Sequence, residues 1–112
     1  MNDLEKNLAQ NAKEFLHSAG EIYNKGDYTS SAVLYFKALF AILDPIVLRE
    51  KGFVPKDHGE RFRILESNFS ELYEFVDKNF TIYQNSYNSR INKGDCNNIK
   101  EYAETLTQKQ RI

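Results

Sequence analysis

The fold of this chain is decided by the stretch Asp27–Leu48, which reads DYTSSAVLYFKALFAILDPIVL. After Asp27 its only charged residues are Lys37 and Asp44. Apolar residues recur three or four apart at positions 32, 35, 36, 39, 43 and 46, which is one stripe at helical spacing. A second stripe recurs at seven-residue intervals, at positions 33, 40 and 47. The pattern predicts a helix that is apolar on nearly every side.

Such a helix needs partners on more than one side, because a helix that is apolar all round is normally buried all round. The first stripe is expected to pack against other helices of the chain. The second stripe is expected to meet either another internal helix or a second copy of the chain. We favour the second copy, because the apolar surface is expected to exceed what one copy can cover. The sequence therefore predicts a homodimer.

The segment before this stretch predicts a second helix that pairs with it. Apolar residues recur three or four apart between positions 4 and 23, with polar residues between them. Gly26 suits the left-handed backbone conformation that closes a helix, and Asp27 can accept the free amides that open the next one. A turn this tight makes the two helices antiparallel neighbours.

A short helix is predicted after the polar segment at positions 53–58. Asp57 followed three residues later by Glu60 forms a capping-box pattern. We expect this helix to run from His58 to about Glu66. In the sequence, this short helix comes between the second and the fourth predicted helix.

The last two helices are predicted from caps and apolar spacing. Ser70 is expected to cap a long helix whose inner positions are 72, 76, 80, 83, 87 and 91, and Gly94 is expected to end it. The residues expected to cap a final helix are Asp95, Asn97 or Asn98. No stretch alternates with period two. The predicted fold is all-α, an antiparallel up-and-down bundle of four main helices with one additional short helix.

Length and charge bound the class of protein. A chain of 112 residues fits one domain, spanning residues 1–112, within the usual range of ~50–200 residues. Its 15 basic and 16 acidic residues nearly cancel. The strongly basic character of a dedicated nucleic-acid binder, with a pI above ~9, is therefore missing, and any RNA contact is expected to be local.

The cysteine content and the N-terminus point to a soluble protein of the cytoplasm. A single cysteine, Cys96, excludes an internal disulfide and leaves no cysteine cluster for a metal. No metal site and no cofactor motif such as a glycine-rich phosphate loop is visible. The N-terminal residues lack the features of a signal peptide, and no uninterrupted apolar run approaches ~18 residues, so no membrane contact is expected.

The chain resembles a HEPN domain, a family named for nucleotide binding in higher eukaryotes and prokaryotes. The resemblance covers about residues 12–106 and is closest to small stand-alone members from archaea and bacteria. The resemblance rests on the Gly26–Tyr28 turn with Ala32, the aromatic second helix, the GFVPKDH segment at 52–58, and Tyr83, Tyr87 and Arg90. The resemblance implies a homodimeric bundle, often encoded beside a small nucleotidyltransferase as a toxin–antitoxin pair. Many members are metal-independent endoribonucleases.

The ribonuclease members resemble one another in an arginine followed, after four to six residues, by a histidine. Arg90 matches the arginine, but the corresponding later positions hold Asp95, Cys96 and Asn97. Transfer of a phosphodiester needs proton acceptance and return near neutral pH, which imidazole performs well. Asp95 could accept a proton but would be a poor acid at pH 7. The departure from the motif favours a chain that is not an enzyme.

Tyr83, Tyr87 and Arg90 are the first candidates for a binding site. Spacings of four and three residues would set them on one helical face. Two rings and a guanidinium could hold a base or a phosphate by stacking and charge-assisted hydrogen bonds. Alternatively, the tyrosines belong to the core and Arg90 pairs with Asp95 or stabilises a helix C-terminus.

His58 and Lys56 are the second candidates. They lie at a predicted helix start, followed by Arg61 and Arg63, where free backbone amides and positive charge could bind an anion. Alternatively, the charges are solvated and His58 is structural.

Two functions follow from these residues. The first is a non-catalytic homodimeric module that binds a partner nucleotidyltransferase, a nucleotide or an RNA phosphate near Arg90. The second is a divergent ribonuclease toxin that uses Arg90 with Asp95, or with His58 of the partner subunit.

Overall fold

The computed structural model describes residues 3–110, and helices account for most of this range. The helices are α1 (Asp3–Asn24), α2 (Tyr28–Lys51), α3 (His58–Asn68), α4 (Ser70–Asn85) and α5 (Lys93–Lys109). Residues 3–110 contain no β-strand. The predicted all-α class is confirmed, as is the short third helix, which runs two residues further than expected.

The turn between α1 and α2 forms as its residues predict. Gly26 adopts a φ of 84°, in the left-handed region that favours glycine. The Asp27 carboxylate accepts a hydrogen bond from the Ser30 amide at 3.1 Å, which caps α2. One turn further in, the buried Ser31 hydroxyl donates to the Ala19 carbonyl at 2.8 Å. These contacts fix α1 and α2 as an antiparallel hairpin.

Helix α2 is the central element of the bundle. It packs against α1, α5 and α4, while α3 packs mainly on α4. The first apolar stripe is buried except for Ile46, which is half-buried. Its largest buried members are Tyr35, Phe36, Leu39 and Leu43. The helix continues through Pro45 to Lys51, because a proline removes one backbone hydrogen bond without necessarily ending a helix already held by packing.

The apolar character of α2 is accounted for by this central position. By length and composition alone the helix could cross a membrane, since its most apolar window has a mean hydropathy of 1.8. However, 72% of that window is buried inside the protein. Core helices of soluble proteins have this same composition, so the finding is weak evidence for a membrane span.

Two of the three residues of the second stripe of α2 are covered by the chain's own helices. Phe40 is only 6% exposed and Val47 is fully buried, whereas Val33 is half-buried. The Phe40 ring lies 4.8 Å from the His58 ring of α3 and 6.2 Å from the Phe80 ring of α4. At Phe40 the stripe therefore meets internal helices, one of the two partners that the pattern allowed. The second copy of the chain stays a prediction.

The start of α3 is a capping box, as predicted. The Asp57 carboxylate accepts from the Glu60 amide at 2.8 Å. The Glu60 carboxylate reaches back and accepts from the Lys56 amide at 3.1 Å. The two side chains thus satisfy amides that would otherwise be unpaired at this helix end.

The predicted boundaries of the last two helices are wrong. Helix α4 begins at Ser70 with Phe69 before it, and Phe69 provides no side-chain capping bond. It ends at Asn85 rather than at Gly94, which lies in the first turn of α5. The cap of α5 is Asn92, whose side-chain oxygen accepts from the Asp95 amide at 2.8 Å.

The early end of α4 has a tertiary cause. The Ile91 amide donates to the Thr29 hydroxyl of α2 at 2.9 Å, and the Ile91 side chain is buried. Holding Ile91 against the start of α2 requires the chain to leave its helical path after Asn85. Residues 86–92 therefore form a connecting loop that returns to the α1–α2 turn.

Candidate anion-binding groove

A surface groove of about 380 Å³ lies between the first half of α2 and the end of α4. We call it the α2–α4 groove. Its α2 wall consists of Thr29, Ser30, Val33, Leu34 and Lys37. Its opposite wall consists of Tyr83, Ser86 and Tyr87. An apolar floor, two aromatic rings, three hydroxyls of serine or threonine and one ammonium group therefore face the same space.

The tyrosine wall is built by the way α4 ends. The Ser86 hydroxyl and amide both donate to the Tyr83 carbonyl, at 2.6 and 3.2 Å. This closes the helix and turns the chain so that Tyr87 follows in the loop, with 80% of its surface exposed. Burial raises the pKa of Tyr83, and the neighbouring Tyr87 side chain raises it further. Two tyrosines thus lie side by side, one half-buried and one open to solvent.

Arg90 lies beside the groove rather than on its wall. The predicted helical face of Tyr83, Tyr87 and Arg90 is wrong, because α4 ends before Tyr87. The bond from Ile91 to Thr29 nevertheless brings this part of the loop to the start of α2. Hydrogen bonds from Ser30 lower the pKa of Asp27, and the charge of Arg90 adds to this effect. Arg90 is therefore near the Thr29 end of the groove.

The guanidinium of Arg90 has free hydrogen-bond donors. It is exposed, and among residues 3–110 it has neither a hydrogen-bond partner nor an ion-pair partner. The alternative in which Arg90 pairs with Asp95 is not observed. Asp95 lies in the first turn of α5, where its amide is held by Asn92.

The predicted anion patch at the start of α3 lacks the amides that it requires. The Lys56 amide is bonded to Glu60, and the Glu60 amide is bonded to Asp57. Lys56 itself is exposed. Its side chain can attract anions only as an isolated surface charge, so Lys56 and these amides do not form a built site.

His58 instead points into a cage of aromatic rings. Its ring centroid lies 4.8 Å from that of Phe40, 5.3 Å from that of Phe80 and 6.2 Å from that of Tyr83. Its Nδ1 lies 2.7 Å from a guanidinium nitrogen of Arg61. Because arginine only donates, Nδ1 must accept, which puts the ring proton on Nε2. Burial, and then the Arg61 charge, lower the pKa of His58 below its ordinary value of 6.5, so the ring is neutral at pH 7.

Arg61 is fixed by an ion pair that sequence reasoning missed. Its guanidinium donates two hydrogen bonds to the Asp44 carboxylate, at 2.8 and 3.0 Å. The two side chains are only 10% and 13% exposed. Arg61 also lies over the Phe40 ring, 4.8 Å from its centroid. The sequence does contain a signal for this ion pair. Asp44 is a charged residue inside an apolar helix, and such a charge is costly to bury without a partner.

Lys37 was also missed as a groove residue. Lys37, Phe40 and Asp44 are three and four residues apart in α2 and so share one face. On that face Phe40 is covered by α3 and α4, whereas Lys37 is exposed. Lys37 lies close enough to His58 for its charge to contribute to lowering the pKa of the imidazole. Lys37 therefore lines the groove at the end nearer to His58, and His58 itself is not a lining residue.

Metal-ligating groups do not converge in the part of the chain from residue 3 to residue 110. No group of three or more histidine, cysteine, aspartate or glutamate side chains lies together there. Cys96 is fully buried, and burial raises the pKa of its thiol, so the thiolate form is disfavoured.

Comparison of the chain with protein-family models, with curated proteins and with solved structures finds no match in any of the three.

Proposed function

We propose that this chain is a non-catalytic helical module that binds a nucleotide or an RNA phosphate in the α2–α4 groove beside Arg90. One observation carries the proposal. The exposed ring of Tyr87 and the half-buried ring of Tyr83 share a groove with Lys37, and the loop that carries Arg90 is tied to the Thr29 end of this groove by the bond from the adjacent Ile91 amide. Neither cation has an ion-pair partner within residues 3–110.

The chemistry of the groove suits a base joined to a phosphate. Stacking of a base on an aromatic side chain contributes about 1–3 kcal/mol and works for every base. A guanidinium can donate two parallel hydrogen bonds to phosphate oxygens. The Thr29 hydroxyl accepts from Ile91 and keeps its own proton to donate. It can therefore add a neutral hydrogen bond to a ligand.

The residues around Arg90 support binding without catalysis. No histidine follows Arg90 at the spacing that ribonuclease members of the HEPN family share. Asp95 lies in the first turn of α5, where its amide is held by Asn92. His58 lies at the opposite end of the groove, beyond Tyr83. A proton donor and a proton acceptor thus do not flank the phosphate position that Arg90 would define.

We also propose a HEPN-like up-and-down arrangement of the helices, a homodimer and a nucleotidyltransferase partner, in the cytoplasm. The resemblance in the sequence supports all of these. The second stripe of α2 gives no support to the homodimer, because Phe40 and Val47 are covered within one copy. Light scattering at micromolar concentration tests it directly, and a monomer would contradict it.

Calorimetric titration of the purified chain with uridine monophosphate and with short oligouridylates tests the binding function. We expect saturable binding that Arg90→Ala and Tyr87→Ala each weaken about tenfold, the usual worth of one charge-assisted contact or one stacked base. Lys13→Ala, an exposed lysine on α1, is the matched control and should bind normally. Absence of binding, or binding that neither groove variant changes, would contradict the proposal. RNA cleavage lost in Arg90→Ala would favour the ribonuclease alternative.

A further inference from the structure

We infer that the α2–α4 groove holds one nucleoside with a phosphate on each side, as in a single-stranded nucleic acid, an inference that rests on the proposed function. Arg90 would contact one phosphate. Lys37 and the Nε2–H edge of His58 would contact the other. Tyr83 and Tyr87 would stack on the base between them.

His58 is a positioned hydrogen-bond donor. Three aromatic rings, from Phe40, Phe80 and Tyr83, surround its imidazole. Its Nδ1 is occupied by Arg61, which Asp44 holds in turn. The residue is nevertheless exposed to solvent, and Nε2–H is the donor that remains. A donor fixed in this way loses little conformational freedom when it binds a ligand, which favours affinity.

Lys37 brings positive charge to the same end of the groove. It lines the groove together with Tyr83, and its charge reaches His58. The Tyr83 ring in turn contacts the His58 ring at 6.2 Å. His58 does not itself line the groove, but its ring lies against that of Tyr83, which does.

The two cationic ends are separated along α2. Arg90 lies near Thr29 and Ser30, and Lys37 follows Ser30 by seven residues. At a rise of about 1.5 Å per residue this is about 10 Å, two turns of helix. Val33, Leu34 and the two tyrosines fill the interval. Along the groove, Arg90 therefore comes first, an apolar and aromatic surface follows, and Lys37 comes last.

The nearby carboxylates form no ion pair with these cations. Asp44 is bonded twice to Arg61. Asp27 and Asp57 each cap a helix by accepting a backbone amide, and Asp27 lies close enough to Arg90 for the two charges to attract. Lys37 and Arg90 have no ion-pair partner among the described residues, so their hydrogen-bond donors are available to a ligand.

This order distinguishes a mononucleotide from a nucleic-acid strand. A mononucleotide carries its phosphate on one side of the nucleoside and can meet only one cationic end. A strand carries a phosphate on both sides and can meet both while a base stacks between them. No contact is assigned to the sugar, so RNA and DNA strands are both expected ligands.

The test compares a trinucleotide of uridine, a trinucleotide of thymidine and uridine monophosphate, each titrated into the full chain by calorimetry. We expect at least one trinucleotide to bind about tenfold or more tighter than the mononucleotide. Lys37→Ala should remove most of that advantage, because it should weaken strand binding by a larger factor than mononucleotide binding. For the strand, Lys37→Ala should also reduce the slope of log affinity against log salt by about 0.7, the value for one phosphate contact on a single strand. Circular dichroism would verify that this surface variant folds.

The outcomes separate this inference from the function on which it rests. Mononucleotide and strands binding equally, with Arg90→Ala weakening both, would overturn the two-phosphate inference and leave the proposed function standing. Strand affinity unaffected by Lys37→Ala would do the same. No Arg90-dependent binding of any of the three probes would overturn both.

Discussion

Arg61 holds Asp44 across 17 residues of sequence through two hydrogen bonds, Nε to Oδ1 at 2.8 Å and Nη2 to Oδ2 at 3.0 Å. The pair joins α3 to the central helix and orients His58 at the end of the α2–α4 groove. A buried charge that loses its partner is strongly destabilising, because its desolvation is no longer compensated.

Arg61→Ala is therefore expected to lower the free energy of unfolding by about 3 kcal/mol or more, measured by urea denaturation. Arg63→Ala, at an exposed position of the same helix, is the control and should change it by less than about 0.5 kcal/mol. Replacing both Arg61 and Asp44 by apolar residues should cost less than Arg61→Ala alone. Equal effects of the Arg61 and Arg63 changes would show that the pair is not stabilising.

The stability of the fold is expected to depend on pH through His58. Burial and the charges of Arg61 and Lys37 lower its pKa below 6.5, outweighing Asp44 and Asp57, which raise it. The unfolded chain, with an ordinary histidine, binds the proton more readily than the folded one. The contribution of His58 is thus fully present above about pH 6.5 and is lost as the pH falls through the lower pKa of the folded state.

His58→Gln should flatten this part of the pH profile of the unfolding free energy, because glutamine can accept from Arg61 but does not titrate. His17→Gln removes a solvent-exposed histidine that pairs with Glu21 on α1, and it should leave the decline below pH 6.5 in place. A decline that survives His58→Gln unchanged would assign the pH dependence to other groups.

Asn92→Ala is expected to destabilise α5, because its side chain caps the Asp95 amide at 2.8 Å. Loss of a side-chain cap costs about 1 kcal/mol, readable by thermal or urea unfolding. Asn98→Ala, an exposed asparagine inside α5, is the matched control. If Asp95→Ala or Asn98→Ala proved more costly than Asn92→Ala, the start of α5 at Lys93 would be contradicted.

Thr29→Val tests the anchor that ends α4 early. The change preserves the shape of the side chain but removes the hydroxyl that accepts from the Ile91 amide at 2.9 Å. Leaving that half-buried amide unpaired should cost about 1–3 kcal/mol. Hydrogen exchange at Ile91 should accelerate, whereas Ser30→Ala, a change of an exposed neighbour, should leave it unaltered. Unchanged exchange in Thr29→Val would remove the tertiary explanation for the end of α4.

Features that depend on neighbouring residues were predictable from the sequence. The apolar spacing in α1 and α2, the left-handed Gly26 with the Asp27 cap, and the Asp57–Glu60 capping box all involve residues within a few positions of one another. Tyr83 and Tyr87 line one groove, although the helical face predicted for them is wrong, since a loop rather than a helix carries Tyr87. Arg90 was also recognised as unusual, but its place at the groove end depends on the loop.

The helical class, the position of the hairpin turn and the start of the short helix can be predicted from the sequence, because helix periodicity and capping are set by side chains three or four residues apart. The covering of Phe40 by α3 and α4, the pairing of Asp44 with Arg61 and the end of α4 at Asn85 are visible only in the folded chain. Each of these depends on contacts between distant segments, such as the bond from Ile91 to Thr29, 62 residues earlier. A bond of that kind leaves no periodic trace in the sequence, so the groove that it creates could be recognised only once the helices were packed.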